Sequence, residues 1–154
     1  MKKINYLKGD ATSPQAKGCK IICHICNDLG GWGKGFVLAI SKRWPEPEAD
    51  YRQWHRTQNQ FGLGEVKFIK VTEDIYVSNM IAQEGINSKG SPIRYEAVEA
   101  CLQKLAAEAK ELNASIHMPR IGCGLAGGNW DKIEPIIERT LLLENIDVYV
   151  YDFE

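Results

Sequence analysis

Ser115-Ile116-His117-Met118-Pro119-Arg120-Ile121-Gly122-Cys123-Gly124-Leu125-Ala126-Gly127-Gly128 is the stretch that decides the fold. Its first four residues read as a short buried strand, Pro119 ends that strand, and the glycines form a loop. Beyond the loop, Ile133, Ile136, Ile137, Thr140 and Leu141 form another helix face, whose start near Asn129 to Asp131 is limited by Pro135. Upstream, Val98, Leu102, Leu105, Ala109 and Leu112 mark one stripe of a helix between Arg94 and Leu112, with charges on its other side. The chain closes with a strand over Asp147 to Tyr151. Helix, strand, glycine-rich loop and helix in this order belong to an α/β protein.

The N-terminal half repeats the theme. Ile4 to Leu7 and Cys19 to Cys23 are short, β-prone runs separated by Gly-Asp and Ser-Pro turn signals, and the second extends into Cys23-His24-Ile25-Cys26-Asn27. From Gly35 to Trp44 the period becomes helical, with Phe36, Val37, Ile40 and Trp44 on one face, until Pro45 stops it. Glu46-Pro47 opens another helix carrying Tyr51, Trp54 and Gln58. Val66 to Val71 alternates, and after a Glu73-Asp74 turn a partner strand runs from Ile75 to about Ala82. Strands and helices alternate without a linker, so a sheet covered by helices on both faces is expected, in one domain spanning 1–154.

Composition narrows the function classes. Acidic and basic residues nearly cancel, 20 against 19, so no global field recruits nucleic acid or membrane and any polyanion must be held locally. The N-terminal Met-Lys-Lys-Ile-Asn lacks the apolar run of a signal peptide, and nowhere do about 18 apolar residues run together, which predicts a cytoplasmic protein. Five cysteines, an odd number, are expected to be reduced thiols without a structural disulfide. Cys23 and Cys26 have CxxC spacing, but on a strand end rather than a helix start, without a second ligand pair, and with alternation pointing them to opposite faces. No His, Asp and Glu cluster has metal-ligand spacing, so no metal or cofactor is expected.

Ligands of such sheets bind at the carboxyl ends of strands, where loops lead into helix N-termini. Two loops qualify: Asn27-Asp28-Leu29-Gly30-Gly31-Trp32-Gly33-Lys34-Gly35 and Ile121 to Gly128. Their glycines let backbone N–H groups approach phosphate or sugar oxygens, although glycine-rich loops are also often mere tight turns. Neither has the P-loop ending or the spaced acid of a dinucleotide fingerprint.

Taken together, Lys8-Gly9-Asp10-Ala11-Thr12, Cys23-His24-Ile25-Cys26-Asn27, Gly33-Lys34-Gly35 and Met118-Pro119-Arg120-Ile121-Gly122-Cys123-Gly124-Leu125 resemble the signature segments of the macrodomain family. The similarity is to the branch with ADP-ribose 1''-phosphate phosphatases, the terminal ADP-ribose protein glycohydrolase and chromatin-remodeller macrodomains. Gly31-Trp32-Gly33, Trp44-Pro45 and Asp50-Tyr51 especially resemble the phosphatases. The resemblance implies a three-layer α/β/α fold with a mixed, mostly parallel sheet of about six strands and a cleft for ADP-ribose. It implies that Asp10 accepts the adenine amino group with Ala11 beside it, and that Asn27, Gly33, Lys34 and Gly35 surround the distal ribose. Pro119, Ile121, Gly122, Cys123, Gly124, Leu125, Ala126 and Gly127 would hold the diphosphate, and Tyr151 or Phe153 would pack on the base. In the glycohydrolase members a lysine on the strand near Ala82 and an aspartate after Gly-Cys-Gly-Leu carry the chemistry. Here Ala82-Gln83 and Ala126 stand there, which removes the Schiff-base route.

The remaining catalytic candidates are His24 and Asn27. A histidine of near-neutral pKa at a strand end can protonate a leaving group or activate water, although a buried imidazole bonded to backbone is the commoner arrangement. Asn27 can position a water or a ribose hydroxyl, or close an Asx turn. Asp28, His55, His117, Arg94 and Arg120 read as structural groups first. The expected partner is ADP-ribose or an ADP-ribosylated molecule, bound by a monomer that either hydrolyses a derivative or only reads it. Direct nucleic-acid contact is disfavoured except through an ADP-ribosylated end, because no basic run surrounds the tryptophans.

Overall fold

The computed structural model describes residues 2–85, 92–124 and 126–153. Its elements are β1 (Asn5–Lys8), β2 (Lys20–Asn27), α1 (Phe36–Arg43), α2 (Glu46–Thr57), β3 (Val66–Lys70), β4 (Ile75–Gln83), α3 (Tyr95–Leu112), β5 (Ser115–Met118), α4 (Trp130–Ile137) and β6 (Val148–Asp152). The strands form one sheet in the order β1-β6-β5-β2-β4-β3. Every pairing is parallel except β3 with β4, which share the predicted tight turn.

β2 and β4 sit centrally, and their near-continuous apolar runs are buried on both sides. One sheet face, with Ile21, Cys23, Met80, Ile116 and Val150, packs against Val98, Leu102 and Leu105 of α3 and Ile133 and Ile137 of α4. The opposite face, with Ile22, Cys26, Val77 and Ile81, packs against Val37 and Ile40 of α1 and Tyr51 and Trp54 of α2. This is the three-layer α/β/α arrangement. Cys23 and Cys26 accordingly belong to different layers.

Two elements carry irregularities. α4 starts at Trp130, within the expected range, runs through Pro135 and widens into a π turn over Glu138–Leu142. There the Thr140 hydroxyl donates to the Ile136 carbonyl at 2.6 Å, four residues back, and competes with the backbone for that acceptor. β2 continues to Asn27 as the sequence implies, and there its register against β4 slips by one residue. The irregularity pairs Asn27 with Gln83 and turns both strand ends toward the loops.

Candidate functional site

β5 and β2 are neighbours, so the loops leaving their carboxyl ends rise side by side. Between them lies a cleft with two lobes. A lobe of about 300 Å³ is lined by His24, Ile25, Lys34, Gly35, Phe36, Pro119, Arg120, Ile121, Gly122, Gly124 and Ala126. A second, of about 600 Å³, is lined by Cys26, Asn27, Gly31, Trp32, Gly33 and Arg52, and shares Ile25, Lys34, Val37 and Gln83 with the first. Among the described residues, the lining contains lysine and arginine but neither aspartate nor glutamate. The N-terminus of α1 opens here: Gly35, at φ 85°, precedes it, no side chain caps it and its first turn holds no acid. Uncapped N–H groups and the helix dipole favour an anion at that point.

The β2–α1 loop is held by side chains. Asn27 Oδ1 accepts from the amides of Leu29 at 2.9 Å and Gly31 at 3.0 Å, while its Nδ2 donates to the Gly31 carbonyl at 3.0 Å. The Tyr51 hydroxyl reaches the Asn27 carbonyl at 2.5 Å and accepts from the Gly30 amide at 3.2 Å. Burial raises the Tyr51 pKa, so the hydroxyl stays protonated. Trp32 is buried against Tyr51, and its indole N–H donates to Ser41, which donates to Glu48. Asp28, read as a structural group, accepts from the Gly85 amide at 2.8 Å.

The β5–α4 loop is closed by its own backbone. Gly128 N–H donates to the Gly122 carbonyl at 2.6 Å and Gly127 N–H to Gly124 at 3.0 Å, with Gly122 and Gly127 at φ 73°. Cys123 is half-buried, and its thiol, its pKa raised by burial, points at the Ile121 carbonyl. Leu125 lies outside the described residues.

His24 is almost fully buried, and its partner is a side chain rather than the backbone: Nε2 lies 2.5 Å from Asn79 Oδ1, while Asn79 Nδ2 donates to the Pro47 carbonyl. Because Asn79 uses its amide on Pro47, its oxygen accepts and Nε2 carries the histidine proton. Nδ1 has no hydrogen-bond partner among the described residues. Burial lowers the His24 pKa to about 4, so the ring is neutral near pH 7.

Beyond the cleft, Asp10 and Ala11 lie on the loop after β1. Asp10 Oδ1 accepts from the Thr12 amide at 2.8 Å and the Thr12 hydroxyl at 2.7 Å, and Arg43 of α1 donates to that hydroxyl at 2.8 Å. Ala11 is buried. Tyr151, expected to offer its ring to a base, is instead buried beneath this loop, where strand alternation turns it toward His117; Phe153 is exposed. Arg120 forms a two-pronged pair with Asp152 at 2.7 and 3.0 Å, which lowers the Asp152 pKa. At the end of β4, Ala82 faces the core and Gln83 faces the cleft. Sequence reasoning missed Arg52 and Asn79. Arg52 looks like half of a surface pair with Glu48, four residues before it, and Asn79 sits beside Ser78 in a mostly apolar strand.

A family model described as Macro domain matches residues 23–137. The chain belongs to the macrodomain family. A solved macrodomain protein from Streptomyces coelicolor is 55 % identical, with a TM-score of 0.89, over 97 % of this chain and 99 % of that one. An ADP-ribose 1''-phosphate phosphatase from Lodderomyces elongisporus is 24 % identical over 97 % of both chains. A mouse chromodomain-helicase-DNA-binding protein 1-like is 31 % identical over 97 % of this chain, which spans only 18 % of that relative's length. No helix among the described residues of this macrodomain is long and apolar enough to cross a membrane, and none of their His, Cys, Asp and Glu side chains group in threes to hold a metal ion.

Proposed function

We propose that this macrodomain binds ADP-ribose and hydrolyses a derivative of it at the distal ribose: the 1''-phosphate, an O-acyl ester or an ADP-ribosyl conjugate. The observation that carries the reading is the convergence of two glycine-rich loops and an uncapped helix N-terminus on one cleft whose described lining is cationic. A diphosphate suits the amides between Ile121 and Gly127. The distal ribose suits the lobe at Asn27, Gly33, Lys34 and Gly35, and the base suits the loop of Asp10 and Ala11. Hydrolysis would then rest on holding the ribose against a positioned water, with loop N–H groups stabilising developing charge. Neutral His24 lines the adjoining lobe, its Nδ1 buried and without a hydrogen-bond partner among the described residues. Action as a single-domain monomer in the cytoplasm is part of the same proposal.

A second reading, a module that binds ADP-ribose without turnover, is favoured by one observation. The Asn27 carboxamide is engaged with its own loop, and the cleft has no described carboxylate to serve as a base. Calorimetric titration with ADP-ribose tests binding. Incubation with ADP-ribose 1''-phosphate and O-acetyl-ADP-ribose then separates the readings: turnover that collapses in His24→Ala supports the hydrolase, binding without turnover supports the reader, and no binding by folded protein overturns both.

A further inference from the structure

On the face that α1 and α2 cover at β2 and β4, the β5 and β6 strands carry polar groups. The register sets His117 beside Ile22 and Tyr149, with Tyr151 two residues on. His117 is fully buried and stacks on Tyr149, ring centroids 4.8 Å apart and planes within 4°. Its Nε2 lies 2.8 Å from Ser115 Oγ and its Nδ1 2.8 Å from the Tyr151 hydroxyl, which accepts the Gln15 amide proton at 2.8 Å. Proton bookkeeping fixes the directions. Tyr151 is buried, and among the described residues its own proton has no acceptor but His117 Nδ1. Gln15 N–H therefore donates to Tyr151, Tyr151 to His117, and His117 Nε2–H to Ser115. Burial, with Lys20 nearby, lowers the His117 pKa to about 4 and keeps Nδ1 an acceptor.

The far end of this relay is the loop of Asp10. That loop is tied to β6 at two points, Gly9 N–H to the Asp152 carbonyl at 3.0 Å and Gln15 N–H to Tyr151. Between the ties, Thr12 claims Asp10 Oδ1 twice, leaving Oδ2 to face outward with Arg43 at 3.8 Å. The relay thus anchors, from below, the loop that carries Asp10.

We propose that Tyr151 and His117 are positioning residues for this carboxylate, and that their relay creates the preference for a base bearing an amino donor over one bearing a carbonyl there. This rests on the ADP-ribose reading of the cleft. A buried structural pair with no such role would affect melting but not the choice of base.

The test compares ADP-ribose with inosine diphosphate ribose by calorimetry, alongside exchange of the Gln15 amide and the imidazole nitrogen shifts of His117. The wild type is expected to prefer ADP-ribose roughly tenfold or more, and Tyr151→Phe to bring the two within roughly twofold, since a displaced acceptor stops rewarding the donor. In that variant the Gln15 amide exchanges faster and the pyridine-type His117 Nδ1 signal moves further downfield as it loses its hydrogen-bond donor. Gln15→Pro, which deletes the same hydrogen bond from the loop side, gives the same loss of preference, and Tyr149→Phe, outside the relay, keeps it. Full preference in Tyr151→Phe and Gln15→Pro overturns the relay alone. A folded wild type that binds neither dinucleotide overturns the ADP-ribose reading and the selectivity built on it.

Discussion

The two loops of the cleft solve one problem by opposite means. Each must carry exposed N–H groups out of a strand and hold them still, although glycine gives the backbone more freedom than any other residue. The β2–α1 loop is fixed from outside, by Asn27, Tyr51 and the Trp32–Ser41–Glu48 chain. The β5–α4 loop is fixed from within, by Gly128 N–H closing on Gly122. A loop held by several side chains loses stiffness in steps. One closed by its own backbone, through two short-range hydrogen bonds among its glycines, has little to give when either is lost.

Gly128→Ala should therefore give the largest effect. A Cβ at Gly128 would lie 2.4 Å from the Gly122 carbonyl oxygen and 3.1 Å from its carbon, both backbone atoms that no rotamer change can move. The loop has to open, at a cost of roughly 2–3 kcal/mol. Its amides lose their common direction, and ADP-ribose affinity should fall roughly tenfold or more, each tenfold being about 1.4 kcal/mol. Calorimetry with chemical denaturation checks both. A variant that melts and binds as wild type would show that the closed form of this loop is not the binding form.

Much of this contrast could be read from the sequence, and the rest could not, for physical reasons. The loops and their strand-to-helix setting follow from glycine clusters after apolar runs, and the helices from their stripes, because both signals are local. Which side chains hold the loops is a matter of long-range packing. Tyr51 meets Asn27 across 24 residues and Asn79 meets His24 across 55, and nothing in either local sequence announces the partner. Tyr151 illustrates the limit: an aromatic at the last strand end suits a base-stacking role, but only the strand register reveals that its ring turns inward to His117. Pro135 is the opposite case: the apolar residues Ile133, Ile136 and Ile137 on either side of it already mark, in the sequence, a helix face that runs across the proline.

Each loop also rises from a strand with a buried histidine, His24 on β2 and His117 on β5, both with pKa lowered to about 4 from 6.5 by burial. A depressed histidine pKa means that the unfolded chain takes up protons first as pH falls. Stability is full above about pH 6.5, declines between 6.5 and 4 by roughly 1 kcal/mol per pH unit for each imidazole, and levels off below. Denaturant unfolding across this range should show that slope. In His24→Gln it should halve, leaving His117 to supply the remainder; an unchanged slope would mean that His24 titrates normally.

Tyr51→Phe should give the smallest effect and is the sharpest test of the redundancy argued for the side-chain-held loop. The substitution removes the hydroxyl that meets the Asn27 carbonyl and the Gly30 amide but keeps the ring against Trp32. Asn27 Oδ1 still accepts from Leu29 and Gly31. The loss should be about 1–2 kcal/mol, that of the two hydrogen bonds the hydroxyl makes, with ADP-ribose affinity changed by no more than roughly threefold. Asn27→Ala in the Tyr51→Phe background should cost more than the sum of the single changes, because the second substitution removes the remaining anchor of the same turn. Additive losses in this double-mutant cycle would mean that the two groups hold the loop independently and that the contrast with the backbone-closed loop is one of degree.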